Sequence, residues 1–140
     1  MTNIGNIFSL LGLAALVGGM LFFGAVMAPL VFTQLAPDVA GKFIRTAFPF
    51  YYAFVAASAV LAAIGFGLRG DLLAVGLLLA IAVAVLWAWL WLVPHLNALR
   101  DAGDMVGFAR GHTLSVWLNG AELLVGLGLL VRSALNIGLR

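Results

Sequence analysis

Leu72–Val93 reads LLAVGLLLAIAVAVLWAWLWLV, a run with no charged residue anywhere in it. A helix needs about 20 apolar residues to cross the hydrocarbon core of a bilayer, and this run supplies them. Three further stretches match it: about 7–28, 50–68 and 108–131. The expected fold is therefore all-α, a four-helix transmembrane bundle, with residues 1–140 forming a single integral-membrane domain. Of the 140 residues, 65% are hydrophobic and 9% charged. A water-soluble domain carries about 25% charged residues, so lipid is the solvent this surface requires.

The same composition excludes several classes of function. The chain has no cysteine, which removes disulfides, thiolate metal sites and cysteine nucleophiles. A net charge of +2, spread along the chain, does not form the basic patch that nucleic acid requires. The first apolar stretch is not read as a signal peptide: no Lys or Arg precedes it, it is too long, and Pro29 follows the small-residue site at Ala28. It is expected to remain as a helix ending near Ala28–Pro29, because proline disfavours helix in the residue before it. The segments 35–48 and 101–107 read as connections, the first with room for a short interfacial helix, and Arg69–Gly70–Asp71 reads as a tight turn.

Small residues at spacing four mark expected helix seams: Ala14 with Gly18 or Ala15 with Gly19, then Ala59, Ala63 and Gly67, then Ala80, Ala84 and Ala88. Tyr51, Tyr52, Trp89 and Trp91 read as an aromatic belt at one interface. Lys42, Arg45, Arg100 and Arg110 fall on that side, against Arg69, Arg132 and Arg140 on the other. This leans the aromatic side toward the cytoplasm of an inner or plasma membrane.

Chemistry concentrates in the last stretch. His112, Ser115, Asn119 and Glu122 lie within roughly 80° of one another on a helix, and Gly126 continues the stripe. A carboxylate at that depth is costly and is a functional candidate by default. No Lys or Arg occupies the middle of another span, so Glu122 needs protonation to the neutral acid, a bound cation, or a water-filled cavity. Ser58 and the Trp87 indole are placed at comparable depth as its hydrogen-bond partners. The plain alternative is a protonated acid acting as interhelical glue.

His95 and His112 fall at similar distances from the turn near Gly103–Asp104. A helix also puts His95 on the face of Ala84 and Ala88. The two imidazoles are thus a candidate pair for a metal ion, haem or a proton relay, although two ligands are too few for a closed zinc site. No catalytic constellation is legible: Ser115 stands one turn from His112 with no acidic residue to orient it.

Several pieces in order resemble a bacterial branch of the transmembrane-protein-205-like family, a domain of unknown function. They are Ala28–Pro29 with Phe32, Gly41, Phe48–Pro49–Phe50–Tyr51–Tyr52, Pro94 with Asn97–Ala98–Leu99–Arg100–Asp101, and His112 with Ser115, Val116 and Asn119. The resemblance implies one four-helix membrane domain whose site is the His112/Ser115/Asn119 face; Glu122 is not in the family's pattern. More remotely the layout is similar to copper-resistance D-type membrane proteins and related membrane protoporphyrinogen oxidases, which implies copper or haem.

Three functional readings are open. The first is transport through a polar pocket formed by His112, Ser115, Asn119 and Glu122, taking protons or a small cationic ligand and needing no cofactor. The second is a haem- or metal-associated redox protein using His112 and His95. The third is a structural subunit whose stripe packs against a second copy, as a homo-oligomer in the lipid bilayer.

Overall fold

The computed structural model describes residues 2–138, so Arg140 lies outside the described residues. The elements are α1 (Thr2–Phe22), a π turn (Phe23–Met27), α2 (Ala28–Gln34), α3 (Pro37–Leu68), α4 (Leu72–Trp87), a second π turn (Ala88–Leu92), α5 (Val93–Asp101) and α6 (Met105–Gly138). They make four rods long and apolar enough to cross a membrane. In lipid every backbone N–H and C=O must find its partner within the segment, and continuous helix is the way a single span achieves this. Each rod has 30 to 32 residues, about 45–48 Å at 1.5 Å per residue, so the ends project beyond the hydrocarbon core.

The rods run further than the apolar stretches suggest. The first does not end at Pro29. A proline lacks the N–H for the α pattern, and its ring clashes with the carbonyl four residues back. The wider π turn before it relieves that clash: the Ala28 N–H bonds to Phe23 O, and Pro29 then sits in the first turn of α2. The Val93 N–H bonds to Ala88 O in the same way, just before Pro94. The expected connection over 35–48 is also helical almost throughout. Only Leu35 and Ala36 break the helix, Pro37 starts α3, and α3 passes through Pro49 without interruption. Ala40 and Ile44 pack with Val31 there, beneath Phe23 and Phe48, and this burial outweighs the lost bond at Pro49.

The turns are short and capped. The Asp71 carboxylate accepts from the Ala74 N–H at 3.2 Å, and that of Asp104 accepts from the Gly107 N–H at 2.8 Å. Gly70 and Gly103 carry φ of +75° and +77°, the left-handed region that glycine enters without steric cost.

Going round the bundle, α1 packs on α3, α3 on α4, and α6 on both α1 and the α4–α5 rod. Helices α3 and α6 therefore face each other across the diagonal. The tightest seam joins α1 to α3: a Cβ at Gly12 would strike the Ala62 backbone, and one at Gly65 the Ser9 backbone. Ala59, Ala63 and Ala88 are buried as their spacing suggests and Ala15 and Gly19 are half-buried, Gly19 against Phe54, but Ala14, Gly18, Gly67 and Ala80 are exposed. The seam runs instead along Ser9, Gly12, Ala62 and Gly65. Leu13, Leu16, Val55, Phe66, Leu78 and Val85 fill the core.

Candidate functional site

The diagonal between α3 and α6 is polar at mid-depth. Tyr51 and Tyr52 lie half-way along α3, and Glu122 lies half-way along α6. Both tyrosines are buried, as is Glu122; Ser115 and Asn119, on the same stripe of α6, are half-buried. The Tyr51 hydroxyl donates to Asn119 Oδ1 at 3.0 Å, and the Tyr52 hydroxyl faces Ser115. Glu122 lies one turn beyond Asn119 on the same stripe of α6. One turn further along the same face of α6, Gly126 lets the helix approach Leu16 and Val17 of α1, which holds the Glu122 stripe inward.

Glu122 Oε1 is buried and has no hydrogen-bond partner. A buried carboxylate oxygen without a donor carries a desolvation penalty that no hydrogen bond offsets. Helices α1 and α4 contain no ionisable side chain along their length, and in α5 Arg100 lies over Phe108 and His95 on Trp91. The arginines sit at the ends. Arg45 grips Asp101 with two bonds of 2.7 and 3.1 Å. At the opposite face Arg132 pairs with Asp71 at 2.6 Å, and Arg69 donates to Ser9 at 3.1 Å while lying over the Phe66 ring.

The aromatic surroundings are ordered. Phe23, in the first π turn, stacks on Tyr51 with ring centroids 4.3 Å apart. Tyr51 and Tyr52 meet edge to face at 5.3 Å. An open cleft of about 380 Å³ runs between the first rod and α3, with Phe22, Phe23, Phe50, Tyr51 and Phe54 in its wall. Tyr51 is thus shared between the cleft and the polar cluster.

The expected site residues separate into two sets. Ser115, Asn119 and Glu122 come together; His112 does not join them. It is exposed and stacks on Phe108, one turn back on its own helix. Ser58 is buried, but its hydroxyl donates to the Phe54 carbonyl of its own helix at 2.8 Å, not to Glu122. Trp87 is exposed and stacks on Trp91, away from the acid. His95 extends that ladder, exposed and stacked on Trp91 at 5.2 Å. A regular helix would have put His95 on the face of buried Ala88. The π turn adds one residue to the turn and rotates the rest of the rod by about 100°, which carries His95 outward. Among the described residues, no group of three or more His, Asp or Glu side chains is placed to hold a metal ion.

Sequence alone puts Tyr51 and Tyr52 in an interfacial belt; the structure buries both side chains inside the bundle, with Tyr51 bonded to Asn119 of α6. Their signal lies in the preceding segment: once Lys42 and Arg45 are taken as part of the opening turns of one long helix, the tyrosine pair falls at its centre.

The family described as Domain of unknown function (DUF4149) matches residues 11–104. That range contains both tyrosines and stops before the stripe of α6. No curated protein and no solved structure matches the chain.

Proposed function

The chain belongs to the DUF4149 family, and we propose that it is a small transport-related protein of an inner or plasma membrane that takes a proton or a small cation at Glu122. One observation carries this reading: a carboxylate oxygen buried on the bundle diagonal with nothing bonded to it. An acid serving only as glue between helices would spend its oxygens on donors from the neighbouring rods. Here the Tyr51 hydroxyl donates to Asn119 and that of Ser58 to Phe54 of its own helix, and neither serves the acid. A single positive charge satisfies the acid, and the phenol, amide and hydroxyl oxygens around it supply further polar contacts.

Reconstitution tests the reading. Protein in liposomes loaded with pH- and cation-sensitive dyes is expected to conduct, and Glu122→Gln is expected to lose about tenfold or more of the flux while folding normally. Equal flux from the two proteins removes Glu122 from the function.

A further inference from the structure

We propose that the cleft beside Tyr51 admits a lipophilic organic ammonium ion from the bilayer and that its charged head reaches Glu122 past the Tyr51 ring. The inference rests on the reading of Glu122 as a cation site and names the class of cation.

The cleft has the volume of a small-ligand site, about 380 Å³ within the usual range of about 300–1,000 Å³. It opens toward lipid, where Phe22, Phe50 and Phe54 are all exposed. A solute entering here arrives dissolved in the bilayer, which favours a cation carrying apolar groups over a hydrated metal ion. Aromatic faces attract cations, and quaternary ammonium groups are recognised by such surfaces. Gly19 shapes the cleft: a Cβ there would collide with the Phe54 ring.

The charge lies behind the shared wall. One edge of Tyr51 lines the cleft, while its hydroxyl reaches Asn119 in the cluster around Glu122. The titratable groups facing Glu122 are the Tyr51 and Tyr52 phenols of α3; α1 and α4 contribute none, and in α5 His95 lies on Trp91 and Arg100 over Phe108. Glu122 compensates one positive charge at a time. An entering ammonium ion therefore displaces the acid proton to bulk water, and a proton from water takes its place when the ion leaves.

The test uses the full chain in nanodiscs of zwitterionic phosphatidylcholine, with labelled octyltrimethylammonium and its neutral carbon isostere, each corrected against empty discs. The ammonium probe is expected to bind about tenfold or more tightly than the isostere, and its binding should weaken as pH falls. Glu122→Gln and Ala47→Trp, which fills the cleft without touching the acid, should each weaken it about tenfold. Phe50→Leu keeps the bulk and removes one aromatic face, so a loss of about threefold is expected whether or not the tryptophan variant folds. Equal binding of the two probes by the wild-type protein would make the cleft a seat for acyl chains only and overturn the proposal. Ammonium binding retained in Glu122→Gln, or in a folded Ala47→Trp, overturns it as well. Proton flux in liposomes separates the two levels: if flux still depends on Glu122 while ammonium binding fails these tests, the lateral entry falls and the acid site stands.

Discussion

The Tyr51 hydroxyl and Asn119 Oδ1 meet at 3.0 Å across the diagonal of the bundle, between residues 68 apart in sequence. Hydrogen bonds between membrane helices contribute about 0.6–1.7 kcal/mol. Tyr51→Phe leaves the Phe23 stack in place and removes only the donor. It should destabilise the protein by about 1 kcal/mol. A double-mutant cycle with Asn119→Leu should return a coupling of similar size. Additive effects would show that the two helices are held by packing alone.

Glu122→Leu should raise stability. It replaces an acid whose Oε1 has no hydrogen-bond partner by an apolar group of similar bulk, and so removes a desolvation penalty of about 1–3 kcal/mol. The melting temperature in detergent should rise while cation binding is lost. A fall in melting temperature would mean that Glu122 is already satisfied in the resting protein.

Two pairs of glycine changes should separate seam from lipid face. Gly12→Ala and Gly65→Ala drive a methyl group into the backbone of Ala62 and Ser9, an overpacking cost of about 1–3 kcal/mol. Gly18→Ala and Gly76→Ala meet open space and gain about 0.5–1 kcal/mol of helix propensity. Thermal unfolding of the four variants should show opposite signs within the set.

His112→Ala should leave cation binding within about twofold, since its ring stacks on Phe108 at the surface and the contact is of the weak aromatic class. A larger loss would return His112 to the pocket.

The four spans are legible because their apolar runs exceed what a soluble core would use, and the stripe from Ser115 to Glu122 because polar residues are conspicuous in such a run. The rods' continuity is not legible. Pro29, Pro49 and Pro94 each read as a stop by local rules, yet π turns absorb two of them and burial of Ala40 and Ile44 carries the third. The same effect hides half of the site. Tyr51 stands two residues after Pro49 and Tyr52 three, so both read as the mouth of a span instead of its midpoint. His95 is displaced by the single residue that the second π turn inserts. Local periodicity locates a helix well and loses the phase of its faces wherever a turn widens.

Infrared difference spectroscopy of the reconstituted protein reads the protonation state of Glu122 itself. Adding a cation to protein whose Glu122 is protonated should bleach the carbonyl stretch of one carboxylic acid and raise a carboxylate band, both missing in Glu122→Gln. An unchanged carboxylic-acid band across cation and pH titrations would contradict the assignment of Glu122 as the group that takes the charge.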